Sequence, residues 1–356
     1  MRLGDIISVA NVEKCGNRTI PVLSMTMHDG LVLQTDRFKK TIASKDLSGY
    51  KVVRRNQLVV SFPIDEGVLY IQDVADAGIV SPAYAVWDVS TKMVLPRFLG
   101  LFLRSPKSIQ HYRSKLRGST ARRRTIPRED FLAMEIPGFS IAEQDRICLV
   151  IEKIESVIKA CDKQIQSLVQ LVKSRFVEMF GDVRANFMHF PTIRGNEVFS
   201  FASGKFLSAE HRKDSGVPVY GGNGVAWYTD KPLVRRPTIV LGRVGAYCGN
   251  VRLVDQPAWI TDNAIYIKEF KHDLFDITFL AKYMQKLDFS QFAAKSGQPK
   301  ITQKPLEEAI YIIPPLALQH EFAAFVAKVD KLAFAARQRR DVAKQLYRAK
   351  IQEFFG

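Results

Sequence analysis

The chain lacks most of the patterns that carry enzyme chemistry. Its four cysteines, Cys15, Cys148, Cys161 and Cys248, are scattered with no Cys-x-x-Cys pair, which excludes a zinc ribbon and a disulfide framework and leaves reduced, structural thiols. The six histidines fall at no metal-ligand spacing. There is no GxxxxGKS/T loop to cradle the phosphates of ATP and no GxSxG elbow to present a serine nucleophile. The stretch IIPPL (Ile312–Leu316) has the paired prolines of the adenine methyltransferase motif without its asparagine, so the prolines read as the stop of a strand and the start of a helix. Asp262 followed by Glu269, Phe270 and Lys271 matches the Asp…Glu-x-Lys pattern of metal-dependent nucleases, a spacing loose enough to arise by chance. No run approaches the roughly 18–20 apolar residues of a membrane span. The N-terminal MRLGDIISVANVEK carries charge where a signal peptide needs an apolar core, so a cytoplasmic protein is expected.

What the chain has in excess is positive charge: 52 Lys and Arg against 36 Asp and Glu, a net charge of +16 over 356 residues. Such an excess attracts a polyanion, and in a cytoplasm that is most often nucleic acid. The length suits two domains.

It also repeats itself. At an offset of 175 residues Ile126 falls on Ile301, Gln144 on Gln319, Lys153 on Lys328, Glu178 on Glu353 and Gly181 on Gly356. At 181, Phe98–Leu103 lies over Phe279–Met284, and at 192 the N-terminal MRLGDIIS lies over Ile193–Ser200. Three matches in one order indicate an internal duplication whose first half carries extra residues.

The expected order is β-rich, helical, β-rich, helical, with boundaries at 1–140, 141–181, 182–315 and 316–356. On the first helix Ile147, Ile151, Ile154, Ile158, Cys161, Ile165, Leu168 and Val172 alternate spacings of four and three, a coiled-coil seam. Phe322, Val326, Val329, Ala333, Ala336, Arg340, Ala343 and Tyr347 take the equivalent places on the second, where Arg340 calls for an acidic partner or an opening to another chain. Each helix would be a rod of about 60 Å at ~1.5 Å per residue.

Basic segments precede both helices. KLRGSTARRRTIPRED places Arg117, Arg122, Arg123, Arg124 and Arg128 around a Gly-Ser-Thr turn, and AAKSGQPKITQKP places Lys295, Lys300 and Lys304 around Ser296 and Gly297. Exposed turn amides flanked by cations suit phosphate oxygens and guanine edges. Further DNA-contact candidates are Lys39, Lys40, Arg54 and Arg55 in the first half and Lys205, Arg212, Lys213, Tyr220 and Arg243 in the second. Tyr84 and Trp87, in an apolar strand-like run, read as core.

These features together resemble the specificity (S) subunit of type I restriction-modification systems over essentially the full chain. The likeness is carried by RGSTARRRTIPREDFLAMEIPGFSIAEQDRI, SGQPKITQKPLEEAIYIIPPLALQHEF, the PVYGGNG turn, SPAYAVW and the FVEMFGD helix end. Gly138-Phe139 stands where the family often has a proline-rich step, and Gln319-His320 where it often has Glu-Gln. The resemblance implies an α+β fold of two target-recognition domains, each followed by a long helix, the helices pairing as an antiparallel coiled coil. It implies a non-catalytic chain that reads a bipartite site in double-stranded DNA and scaffolds two modification (methyltransferase) subunits and the restriction subunits. S-adenosylmethionine, ATP and Mg would belong to those partners, with no metal or cofactor on this chain. Three other readings stay open here: the specificity module of a methyltransferase-only system, a nuclease using Asp262, Glu269 and Lys271, and a stalk whose basic heads bind an acidic protein.

Overall fold

A computed structural model describes residues 1–27, 29–37, 46–117, 125–294 and 298–356. The chain divides into two compact units, Met1–Cys161 with Gln338–Gly356, and Asp162–Arg337. Each unit therefore takes half of each long helix.

The two units are built on one plan. In the first, an antiparallel four-stranded sheet runs in the order Ile7–Val9, Ala85–Val89, Leu58–Val60, Leu69–Ile71. In the second the order is Phe199–Ser203, Ala264–Phe270, Thr238–Gly242, Val251–Val254, again antiparallel throughout. First strand, last strand and then a hairpin is the same topology in both. The offsets read in the sequence mark equivalent elements: helix Pro96–Leu103 corresponds to Ile277–Leu287, Arg128–Leu132 to Gln303–Glu308, and Ile141–Phe180 to Leu316–Phe355. Even a local bond recurs, since the Arg2 amide donates to the Asp5 carboxylate at 2.7 Å and the Arg194 amide to that of Glu197 at 3.2 Å.

The long helices start and stop for local reasons. Ser140 and Glu143 form a capping box: the Ser140 amide and hydroxyl donate to Glu143 Oε2 at 2.8 and 2.6 Å, and the Glu143 amide donates back to Ser140 Oγ at 3.3 Å. These bonds hold the Glu143 carboxyl below its usual range. The second helix instead follows Pro314-Pro315, where the strand Ile310–Ile312 has just ended. The first helix ends at Gly181, whose φ of +67° is the left-handed C-terminal position that glycine fills without strain.

Within each unit the two half-helices pack antiparallel. In the first, Ile147, Cys148 and Ile151 share a core with Ile351 and Phe355, while Phe355 meets Phe98 at 5.3 Å between ring centroids and Phe102 at 6.0 Å. In the second, Phe322 packs edge-on against Phe176 and Phe180 at 5.4 and 5.5 Å, and Arg175 pairs with Glu321 at 2.8 Å. The seam positions Ile147, Ile151, Ile154, Cys161, Leu168 and Val172 are buried, as are Phe322, Val326, Val329, Ala333, Ala336 and Ala343; Ile158 and Ile165 are half-buried. Arg340 has its acidic neighbour in Asp341, at 3.0 Å. The equivalent helix ends FVEMF and IQEFF close on Phe180 and Phe355, each at most 1% exposed. That explains the duplicated ending: the core of each unit receives the aromatic foot of one long helix.

Candidate nucleic-acid interface

In both units the basic segment ahead of the long helix is closed at its base by backbone bonds. Arg117 and Thr125 exchange amide-to-carbonyl bonds of 2.9 and 3.0 Å. In the second unit the Ala294 amide donates to the Lys300 carbonyl at 3.0 Å, and Lys300 bridges to Val244. Thr125 and Lys300 are equivalent at the offset of 175. Arg122, Arg123, Arg124 and Lys295, within the segments so closed, and Lys39 and Lys40 lie outside the described residues.

Around Lys300 the second unit gathers several loops. The Ile301 amide donates to the Arg243 carbonyl and the Arg243 amide to that of Asn263, both at 2.9 Å, while Arg243 Nη1 reaches the Asp262 carbonyl at 3.2 Å. Gly245 donates to the Pro299 carbonyl at 3.0 Å, and Thr261 to that of Tyr220 at 2.9 Å. Lys205 is held from both sides, its amide on the Ile260 carbonyl and its carbonyl accepting from the Trp259 indole, each at 2.9 Å. Two glycines permit this crowding: a Cβ on Gly242 would overlap the Tyr247 carbonyl, and one on Gly204 the backbone of Ile260 and Thr261. Lys205, Arg243 and Lys300 are thereby brought together on adjoining loops beside Tyr220 of the strand Val217–Gly221, with Asp262, Asn263 and Gln298 exposed beside them.

Other sequence candidates lie elsewhere. The Lys213 amide bonds the Tyr228 carbonyl at 2.8 Å, on the edge of the three-stranded sheet opposite the one that Lys205 extends, and exposed Arg212 precedes it. Lys304 pairs with Glu308 at 3.6 Å along a short helix. In the first unit Arg54 pairs with Glu13 at 3.2 Å, Arg55 with Asp76 at 3.1 Å, and Arg128 lies over the Trp87 ring at 5.5 Å. Such exposed ion pairs contribute little to stability, so the guanidinium groups can exchange partners at little cost. Trp87 and Tyr84 pack into the first unit's cores.

Sequence reasoning passed over Asn263, Gln298 and Phe206. The last is 75% exposed and directly follows the doubly bonded Lys205. The Thr-Asp-Asn turn was the available signal for Asn263; nothing in the local pattern distinguishes Phe206 from a core aromatic. Apolar side chains also face outward on the long helices: Val157, Val342 and Leu346 line an open groove of about 470 Å3 in the first unit, and Leu332 and Phe334 are more than half exposed in the second.

The nuclease pattern does not assemble. Asp262 precedes the strand Ala264–Phe270 and Glu269 lies near its far end, so about 20 Å of extended chain separates them at ~3.3 Å per residue. Among the described residues no group of three or more His, Cys, Asp or Glu could hold a metal. The cysteines are free, and burial pushes the Cys148 thiol up to about 11, which keeps it protonated and inert near neutral pH. Among the described residues no helix is long and apolar enough to cross a membrane.

Comparison with known proteins bears out the resemblance read in the sequence. The model of the type I restriction modification DNA specificity domain matches residues 190–344. The type I restriction enzyme EcoprrI specificity subunit of Escherichia coli is 28% identical over 141 residues, which is 38% of this chain and 35% of that subunit, so the match spans about a third of that relative's length. The crystal structure of the type I restriction-modification S subunit from M. genitalium aligns over 100% of this chain and 95% of its own, with a TM-score of 0.68 at 17% identity. A chain from a structure described as the basis of complex assembly and conformational transition of the type I system aligns over 100% of this chain and 96% of its own, with a TM-score of 0.52 at 16% identity. At these identities the likeness is one of fold.

Proposed function

We propose that this chain, whose second half carries a type I DNA specificity domain, is the address-reading and scaffolding subunit of a type I restriction-modification complex. The observation that carries the proposal is the duplication: two units of one topology, each with a basic segment closed by backbone bonds at the equivalent Thr125 and Lys300 and each holding half of both long helices. Each unit reads one half of a bipartite site in double-stranded DNA. The helix pair between them sets the unread spacer, because two half-sites add their specificity only when both engage in one register.

In the second unit Arg243, Lys300 and Lys205 supply phosphate and guanine contacts, and Asn263 and Gln298 have the paired donor and acceptor that reads adenine in the major groove. Arg122, Arg123 and Arg124 contribute phosphate neutralisation in the first. The outward apolar side chains of the long helices dock two modification subunits, which bring S-adenosylmethionine. Restriction subunits bring ATP and Mg, and the assembly works in the cytoplasm. Chemistry belongs to these partners, and this chain contributes position.

The test is a genome-wide map of adenine methylation in cells expressing the chain with its neighbouring methyltransferase, against cells with the methyltransferase alone. A two-part motif with a fixed gap, present only with this chain, is the expected result. Methylation independent of the chain, with both proteins soluble, refutes the proposal.

A further inference from the structure

Gln144 and Gln319, one turn into the two long helices and equivalent at the offset of 175, are both 0% exposed. Each is a fully engaged amide. Gln144 Oε1 accepts from the Leu95 amide at 2.8 Å, and its Nε2 donates to the Phe139 and Met93 carbonyls at 2.9 and 3.4 Å. Gln319 Oε1 accepts from the Asp276 amide at 2.9 Å, and its Nε2 donates to the Pro314 and Leu274 carbonyls at 2.8 and 2.9 Å. The partners correspond: Leu95 and Asp276 are the N-caps of Pro96–Leu103 and Ile277–Leu287, while Phe139 and Pro314 lie on the approach to the long helices. At the same offset Leu318 stands where the first half has Glu143.

A buried primary amide with one accepted and two donated bonds fixes two chain segments in one orientation. Here it ties the long helix to the short helix that backs the recognition sheet. Packing among Phe98, Phe102 and Phe355, or among Phe176, Phe279 and Phe322, brings the same elements together but tolerates small rotations, because dispersion is not directional. The amide adds direction. The surroundings of the two glutamines otherwise differ: Ser140 and Glu143 cap the first helix, whereas Pro314-Pro315 lead into the second, and yet both glutamines make the same three kinds of bond.

We infer that Gln144 and Gln319 are positioning residues that key each recognition domain to its helix and thereby enforce the spacer length, without choosing bases. The inference rests on the bipartite reading proposed above. The expected consequence is specific: loosening one key leaves both half-site sequences unchanged and relaxes the gap between them.

The test uses the full chain in complex with its methyltransferase partner. Dissociation constants are measured for duplexes carrying the cognate half-sites at the parental spacer and at one base pair more or less. For Gln144→Met and Gln319→Met, which keep length but cannot bond, the ratio of constants between altered and parental spacers is expected to fall about tenfold. Wild-type discrimination among mutated half-sites is expected to persist. The ratio cancels any loss of active protein, so a merely structural role does not move it. Should a Met variant fail to fold, Gln→Glu at the same position retains the acceptor for the backbone amide and loses donation, and carries the same expectation. A folded variant that keeps the parental spacer ratio overturns the inference. A wild-type complex indifferent to spacer length instead overturns the bipartite reading itself, so the two failures are told apart.

Discussion

Two phenylalanines twelve residues apart on the same helix should behave oppositely when replaced by alanine. Phe322 is 0% exposed and packs edge-on against Phe176 and Phe180, with centroids 5.4 and 5.5 Å away. Truncating a buried phenylalanine costs about 3–5 kcal/mol. Losing two favourable ring pairs places Phe322→Ala toward the upper end of that range. Against a typical stability of roughly 5–15 kcal/mol, that is a large fraction of the total. Phe334 is 59% exposed, so Phe334→Ala should change stability by no more than about 0.5 kcal/mol. Urea denaturation followed by tryptophan fluorescence measures both. Its companion assay is co-purification with the methyltransferase subunit, where Phe334→Ala is expected to weaken capture if, as proposed, the outward side chains of the long helices dock that subunit. A Phe334 variant as unstable as the Phe322 variant would refute the assignment of inner and outer faces. Undiminished capture by a stable Phe334 variant would remove that side chain from the docking surface.

Changing Arg122, Arg123 and Arg124 together to alanine should weaken DNA binding and reduce the slope of log affinity against log salt by up to about 2.7, since each neutralised phosphate contributes ~0.9. An unchanged slope excludes them from the interface. Asn263→Ala should cost about 1–3 kcal/mol at a single base position of one half-site while leaving the other half-site intact, as read by competition with base-substituted duplexes. Loss spread evenly over all positions would make the residue a general contact. Inserting one heptad within residues 147–172 should change the tolerated spacer while preserving both half-sites, and a retained parental spacer contradicts a measuring role for the helices. The Glu143 carboxyl, held low by Ser140, should stabilise the first helix above its ordinary pKa of about 4.5 and lose that contribution as the pH falls through its lowered value. Ser140→Ala should flatten this acid limb of a thermal-melt series, and an unaltered limb would assign it to other carboxylates.

What could be read from the sequence was whatever depends on period and order. The seam Ile147–Val172 showed because a helix turns every 3.6 residues whatever surrounds it. The duplication showed because Pro96–Leu103 and Ile277–Leu287, or the two long helices, keep their spacing even where identities are few. The candidate site was only partly legible. Lys205, Tyr220, Arg243 and Lys300 are brought together by backbone bonds between segments far apart in the chain, and no local pattern encodes such convergence. Arg54 and Arg55 stand out in the sequence as cations, yet their partners Glu13 and Asp76 are equally plain residues whose proximity only pairing of strands creates. Charge can be counted in one dimension, whereas the face it occupies cannot.

The buried glutamines show how a polar residue can be legible in place and illegible in role. The offset of 175 aligned Gln144 with Gln319, but a glutamine near a helix start ordinarily reads as a solvated first-turn residue. Burial reverses its meaning. An amide with one bond to the N-cap of a short helix and two to neighbouring carbonyls is costly to leave unsatisfied, roughly 1–3 kcal/mol for each stranded group. Its presence therefore penalises every arrangement of sheet and helix except one. A hydrophobic residue in its place would bind the same elements together with less discrimination among angles. Under the proposed reading of two half-sites at a fixed gap, the angle at each junction matters as much as the length of the helix beyond it. Duplicating the unit together with its own glutamine repeats the same three bonds at both junctions.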